Sequence, residues 1–75
     1  MSLGENLKAA RLERGFTQEQ LANEVDVSRV NLTCFETGTK VPSVAVLSRI
    51  AEVLNCSVDG LLDKTAKHTK TERID

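Results

Sequence analysis

The chain has 75 residues, 40% of them hydrophobic and 28% charged, with a formal net charge of -1. This length allows one small domain, and the near-neutral charge counts against a general nucleic-acid coat while leaving a local basic face possible. The two Phe residues are the only aromatic ones, so a large aromatic-lined ligand pocket is not expected. The composition favours a helical domain over a β-sandwich or a disordered chain.

The sequence contains no signal for a membrane, a metal or a catalytic centre. No apolar run approaches the roughly 20 residues that cross a bilayer, and the N-terminus lacks the pattern of a signal peptide. Cys34 and Cys56 stand apart, with His68 as the only histidine, so neither a disulfide nor a zinc site is indicated. No carboxylate pair or nucleophile lies in a recognisable motif. We therefore expect a soluble cytoplasmic protein that is not an enzyme and takes no cofactor or small-molecule ligand.

Apolar residues at helical spacing predict five short helices and no strands. The expected bounds are Leu3–Arg14, Gln18–Val25, Arg29–Thr37, Val44–Leu54 and Val58–Leu62. The fold class is therefore all-α, a compact five-helix bundle. Such a bundle could owe its apolar stripes to packing alone, so the ends of the helices carry the more specific information.

Capping residues mark most of these ends. Thr17, followed three residues later by Gln20, forms a capping box, and the other side chains suited to an N-cap are Ser28, Ser43 and Ser57. Gly15 and Asn55 stand where a helix can end in a left-handed residue. The fourth helix should bury a stripe that consists of Val44, Leu47, Ile50, Ala51 and Leu54.

The last thirteen residues differ from the rest of the chain. From Asp63 onwards Ala66 and Ile74 are the only apolar anchors, too few to offset the entropy of ordering the segment. The sequence therefore predicts a folded domain over residues 1–62 and a flexible polar C-terminal tail over residues 63–75.

The second and third predicted helices are separated only by Asp26 and Val27 before the cap Ser28. Helices joined by so short a turn must cross steeply and touch closely. Ala22 lies where they approach most closely, and the side chains expected to converge on the shared core are Leu21, Val25, Val27, Leu32 and Phe35. This is the spacing of a helix-turn-helix.

At this point the chain resembles the Cro and phage-repressor family of helix-turn-helix regulators, over about residues 3–62. The matching residues are Thr17-Gln18, Leu21-Ala22, Val27-Ser28, Glu36-Thr37-Gly38, Pro42-Ser43, Leu47, Ile50-Ala51, Leu54 and Ser57-Val58-Asp59. One position departs from the family, which usually has Gly where this chain has Asp26. Asp also enters the left-handed region, so we expect a slightly strained turn. The resemblance implies a phage repressor-like DNA-binding domain.

The outer face of the third helix is the candidate surface for contacting bases. A helical projection turns Leu32, Phe35 and Ser28 toward the core and leaves on the opposite face Arg29, Val30, Thr33, Cys34 and Thr37. In the major groove Arg29 can bridge the O6 and N7 atoms of guanine, Val30 can pack on a thymine methyl, and Thr33 can serve a base or a phosphate. The resemblance implies base contacts from Ser28, Arg29, Val30 and Cys34. The alternatives are a solvated arginine at position 29 and a scattered exposed valine at position 30.

Phosphate contacts should flank this face. Thr17 and Gln18 present the N-terminus of the second helix, whose free N–H groups suit an anion. The loop after the third helix supplies small donors and one cation, namely Thr37, Thr39, Lys40 and Ser43. The resemblance further implies that Glu36 holds Arg11 beside the DNA backbone. The alternatives are that Thr17 only caps its helix and that Arg11 and Glu36 form a loose surface pair.

The two cysteines are predicted to lie in opposite environments. Cys34 falls on the outer face of the third helix, whereas Cys56 follows the fourth helix at a position expected to be buried. We therefore expect alkylating reagents to modify Cys34 first. A redox role for Cys34 is the less favoured interpretation, because no resolving cysteine lies nearby.

The favoured function is a sequence-specific DNA-binding transcriptional regulator. We expect a repressor that binds a pseudo-palindromic double-stranded operator as a homodimer, because one helix contacts too few base pairs to find a site in a genome. Residues available for the dimer contact, or simply for the core, are Val58, Leu61 and Leu62. The alternative is an antitoxin whose domain binds DNA while its tail or surface binds a toxin.

Overall fold

The computed structural model describes residues 2–62, which form five α-helices joined by tight turns, with no strands. The helices are α1 (Leu3–Glu13), α2 (Gln18–Val25), α3 (Arg29–Thr37), α4 (Val44–Val53) and α5 (Val58–Leu62). Three of the predicted helices have the expected bounds, while α1 and α4 end one residue early because Arg14 and Leu54 are their C-caps. The flexible tail predicted for residues 63–75 lies outside the described residues.

Side-chain caps begin the helices as predicted. The Thr17 hydroxyl accepts from the Gln20 N–H at 3.0 Å, and Gln20 Oε1 accepts from the Thr17 N–H at 2.9 Å. The other predicted caps accept a backbone N–H three residues onward at 2.9–3.2 Å: Ser28, Ser43 and Ser57. A second capping box, between Ser2 and Glu5, begins α1 and was not predicted. Each helix is thus fixed at its N-terminus by its own sequence.

Left-handed residues end the helices where the sequence indicated. Asp26 has φ 61° and ψ 45°, and the next N–H, from Val27, reaches the Ala22 carbonyl at 3.0 Å. Asn55 has φ 57° and Gly15 has φ 79°. The Asp26 conformation reverses the chain within two residues and sets α3 across α2, which completes the helix-turn-helix.

The core lies between all five helices and contains the side chains predicted to converge there. Its buried members are Leu7, Leu21, Ala22, Val25, Leu32, Phe35, Leu47, Ile50, Ala51, Leu54 and Leu61. Val27 packs against this cluster. The prediction was wrong for Val44, which is 80% exposed because it opens α4 before that helix reaches the core. Leu61 is a core residue, whereas the neighbouring Leu62 is 48% exposed.

Helix α1 meets the C-terminal end of α3 at Gly4, which is buried. A Cβ atom built at Gly4 would lie 2.3 Å from the Glu36 carbonyl oxygen and 2.8 Å from that of Phe35. These are backbone atoms of α3, so a side chain at position 4 could be accommodated only if the two helices moved apart. The glycine therefore sets the distance between α1 and α3.

Gly4→Ala should lower the free energy of unfolding by about 1–3 kcal/mol, because it overpacks this contact. In an open helix the same change would instead stabilise the protein, since alanine favours helix more than glycine does. Urea unfolding measures the difference. The matched control is Gly60→Ala, whose Cβ would meet only the Ser57 hydroxyl at 3.0 Å and should cost less. Equal or increased stability of Gly4→Ala would contradict the close approach.

Candidate nucleic-acid interface

A buried ion pair joins α1 to α3. Arg11 Nε donates to Glu36 Oε2 at 2.6 Å, and Arg11 Nη2 donates to Glu36 Oε1 at 3.2 Å. The side chains are only 8% and 3% exposed. Arg11 Nη1 also donates to the Phe16 carbonyl at 2.9 Å, immediately before α2. The pairing implied by the family resemblance is therefore present, and it is a fixed bidentate contact rather than a loose surface pair.

Gln18, the first residue of α2, extends this pair into a polar network. Its Nε2 donates to Glu36 Oε1 at 3.1 Å, and its Oε1 accepts from the Thr33 hydroxyl at 3.1 Å. The network thus runs from Arg11 through Glu36 and Gln18 to Thr33, and it includes residues from α1, α2 and α3. Four residues nominated separately from the sequence lie in one connected group.

A shallow depression opens beside this network at the N-terminus of α2. It is lined by Arg11, Leu12, Phe16, Thr17, Gln18, Glu19 and Arg29. The backbone N–H groups at the start of a helix have no partner within the helix and carry partial positive charge. Two arginines therefore stand beside a helix N-terminus, an arrangement that suits a phosphate group.

The N-terminal half of α3 carries the exposed side chains of the predicted base-contacting set. Ser28 and Arg29 are exposed, and Val30 is 65% exposed. Thr33 and Cys34 are half-buried. The helical projection was wrong for Ser28, because its hydroxyl turns outward to cap the Asn31 N–H instead of packing in the core.

The predicted phosphate-contacting loop is ordered by contacts with α3. The Thr37 and Thr39 hydroxyls lie 3.1 Å apart, and Lys40 Nζ donates to Asn31 Oδ1 at 3.1 Å. The Thr39 and Lys40 N–H groups both reach the Cys34 carbonyl. This places Lys40 beside α3. Ser43 is exposed, and its hydroxyl caps α4 by accepting from the Val46 N–H at 3.2 Å.

The cysteine prediction was wrong for Cys56, which is exposed. The left-handed Asn55 turns the chain so that the Cys56 N–H bonds to the Ala51 carbonyl at 2.9 Å, while its side chain stays at the surface. Partial burial of the thiol group nevertheless raises the Cys56 pKa, with opposing effects from Arg14 and Glu13. Cys34 is half-buried, so exposure no longer favours its reaction over that of Cys56.

Several polar contacts near the site were not predicted. They are Gln18 with Thr33, Lys40 with Asn31, and Arg49 Nε with the Val25 carbonyl at 3.2 Å. Each joins residues on different segments, and their separation in the sequence carries no periodic signal. The close contact at Gly4 is the one unpredicted feature for which the sequence holds a signal. A glycine within a predicted helix often marks a close approach to another element.

The helix-turn-helix and the exposed N-terminal half of α3 define the class of domain. Residues 7–61 match a family described as helix-turn-helix, and the chain belongs to this family. A curated relative is ImmR, an HTH-type transcriptional regulator of Bacillus subtilis (strain 168), which is 35% identical over 72 residues. That match covers 96% of this chain and 57% of ImmR, so the chain spans little more than half of that relative.

Solved structures show the same fold. The P22 c2 repressor in complex with a synthetic operator has a TM-score of 0.79 at 31% identity, and the match covers 83% of this chain and 94% of the chain in that structure. The SinR regulator of biofilm formation in complex with DNA has a TM-score of 0.77 at 32% identity, covering 81% and 98%. The predicted phage repressor-like, all-α fold is thus confirmed. Among the described residues, no helix combines the length and apolar character that a membrane span needs.

Glu36→Ala should lower the free energy of unfolding by about 3–5 kcal/mol, because it leaves the Arg11 charge buried without its partner. Chemical denaturation followed by circular dichroism measures the loss. Replacing both charges, with Arg11→Met and Glu36→Leu together, should restore part of the stability, since no buried charge is then unpaired. The exposed Glu52→Ala serves as a control and should change stability by less than about 0.5 kcal/mol. A similarly small loss in Glu36→Ala would show that the pair is solvated.

Proposed function

We propose that this domain binds double-stranded DNA in a sequence-specific manner, with α3 in the major groove, and thereby regulates transcription. The observation that carries the proposal is the exposed pair Arg29 and Val30 at the N-terminal end of α3. In helix-turn-helix proteins this part of the second helix contacts base edges. The P22 c2 repressor and SinR, which share the fold, have been solved with DNA, and this supports the proposal.

We assign base contacts to Arg29, Val30, Ser28 and Cys34. Arg29 can donate two hydrogen bonds to the O6 and N7 atoms of one guanine, and the apolar Val30 suits a thymine methyl group. Ser28 and Cys34 are small enough to let α3 approach the base edges on either side. Arg29 thus favours guanine, and Val30 favours thymine, at the base pairs that they contact.

Phosphate contacts are assigned to two segments beside α3. The first lies at the start of α2, where Thr17 and Gln18 offer N–H groups and Arg11 has guanidinium hydrogens beyond those bonded to Glu36 and Phe16. The second is the segment after α3, with contacts from Thr37, Thr39, Lys40 and Ser43. Phosphate contacts on both sides would fix the register of α3 in the groove.

The regulator would act as a repressor and as a homodimer on a pseudo-palindromic operator, in the cytoplasm of a bacterial cell. Apolar side chains available for a contact between copies are Val41, Val44 and Leu62, exposed by 80%, 80% and 48%. Of the α5 residues considered for this contact, Leu61 is buried in the core, Val58 is half-buried and Leu62 is exposed. The alternative of an antitoxin whose tail or surface binds a toxin stays a prediction, and the tail, residues 63–75, lies outside the described residues.

Arg29→Ala should reduce affinity for the preferred operator by about 1–3 kcal/mol and relax the preference at one base pair in each half-site. Selection of bound sequences from random DNA, followed by binding titrations, measures both effects. Lys40→Ala is the matched comparison, because loss of a phosphate contact should weaken binding to all sequences alike and flatten the salt dependence. An unchanged consensus for Arg29→Ala would remove Arg29 from the base-contacting set.

Bound operator should protect Cys34 from alkylation, because Cys34 lies on the face of α3 that enters the groove. Cys56 lies in the turn between α4 and α5 and provides a control within the same chain. Mass spectrometry after brief labelling, with and without operator, follows both thiols. The labelling rate at Cys56 should keep rising with pH above 9, since its pKa is raised and the thiolate is the reactive form. Equal protection of both cysteines would contradict the proposed orientation of α3.

The selected operator should show two-fold symmetry, with half-site centres about 10 base pairs apart. Footprinting and sedimentation of the complex should give two protein copies per operator. Val44→Ser and Leu62→Ser each test an exposed apolar contact between the copies, and one of them should weaken the assembly without changing the half-site sequence. A single copy on an asymmetric site would contradict the homodimer.

A further inference from the structure

The Thr33 hydroxyl points back toward α2. It lies 2.9 Å from the Arg29 carbonyl of its own helix and 3.1 Å from Gln18 Oε1. A hydroxyl group has a single hydrogen to donate, so the Arg29 carbonyl and Gln18 Oε1 share it in a bifurcated bond. Thr33 is also only half-buried, in contrast to the exposed Arg29 and Val30 on the same helix. Its polar atom is therefore engaged within the protein.

The partners of Gln18 select one orientation of its amide group. Glu36 Oε1 accepts from Nε2 at 3.1 Å, and Thr33 lies on the opposite side, next to Oε1. Rotating the amide by half a turn would place its oxygen against the Glu36 carboxylate, which has no hydrogen to donate. Nε2 carries two hydrogens, and Glu36 takes one of them. The second has no acceptor among the described residues.

We propose that Thr33 is a positioning residue for Gln18, so that the remaining Nε2 hydrogen of Gln18 is presented to a DNA phosphate. The Thr33 hydroxyl holds the oxygen of the amide, and Glu36 holds its nitrogen. Thr33 then affects DNA binding through Gln18 and does not specify a base. This inference rests on the proposed DNA-binding function and defines how α3 and the N-terminus of α2 act as one unit.

The arrangement couples two contacts that are distant in the sequence. Gln18 begins α2, and Thr33 lies in α3 one turn beyond Arg29. The buried network holds both helices in one unit, so the distance between the Thr33 hydroxyl and Gln18 Oε1 is kept when the domain docks. The position of α3 in the groove and the position of the Gln18 amide at the DNA backbone would therefore be set together.

Thr33→Val tests the proposal, since valine keeps the branched shape and removes the hydroxyl group. In the free protein, the two Nε2 proton resonances of Gln18 should shift and exchange faster with water. Affinity for the selected operator should fall about three- to tenfold, the typical effect of one hydrogen bond. The ratio between preferred and altered operators should stay the same. Thr33→Ser retains the hydroxyl and should restore both the resonances and the affinity to within about twofold of the parent.

A double-mutant cycle with Gln18→Ala separates positioning from an independent contact. Gln18→Ala should weaken binding by a similar factor, and adding Thr33→Val should weaken it little further. Additive losses, a changed base preference in Thr33→Val, or unchanged Gln18 resonances would each overturn the proposal. If the parent protein selects no DNA sequence, the proposed function is wrong. The Gln18 Nε2 proton resonances in Thr33→Val still show whether Thr33 orients Gln18.

Discussion

The buried pair of Arg11 and Glu36 is the constraint on which the arrangement of α1, α2 and α3 depends. Charges removed from water are costly unless their hydrogen-bonding groups find partners. Here the guanidinium group donates to Glu36 and to the Phe16 carbonyl, while the carboxylate also accepts from Gln18. These partners belong to α1, α3 and the start of α2. All the hydrogen bonds of the buried pair can therefore form only when the three helices hold these relative positions. Gly4 makes this possible because it lets α1 approach the end of α3 that carries Glu36.

This constraint explains how a chain with a net charge of -1 could present the proposed DNA-binding face. Overall attraction to nucleic acid is weak, so local placement of donors must supply the affinity. Arg11 is paired with Glu36, so the cations of the proposed interface that form no ion pair among residues 2–62 are Arg29 at the start of α3 and Lys40 beside it. Apart from the remaining Arg11 guanidinium hydrogens, the other proposed phosphate contacts are neutral N–H and hydroxyl groups. Such contacts need accurate positioning, and the buried network provides it.

Local signals in the sequence were sufficient to predict the helices, because caps and left-handed residues act within a few positions. Thr17, Ser28 and Asp26 all behave as expected. The errors arise where the path of the backbone beyond a helix end decides the outcome. Cys56 is exposed because Asn55 redirects the chain after α4, and Val44 is exposed because α4 begins outside the core. The Gln18 contact with Thr33 depends on the crossing of two helices, which periodicity alone does not specify.

The proposed base-contacting surface is small, and this limits the sequence discrimination that one copy of the domain can supply. One bidentate contact from Arg29 contributes about 1–3 kcal/mol of discrimination, and an apolar contact from Val30 adds less. Selecting one operator over the rest of a genome takes about 4–10 kcal/mol. Ser28 and Cys34 offer only small side chains, and under our proposal Thr33 adds no base contact, so a single copy of α3 would fall short of this requirement. Two copies held at a fixed spacing double the number of base contacts, and the rigid network in each copy preserves their register. The proposed sequence specificity would thus depend both on the buried pair within each copy and on the proposed pairing of two copies.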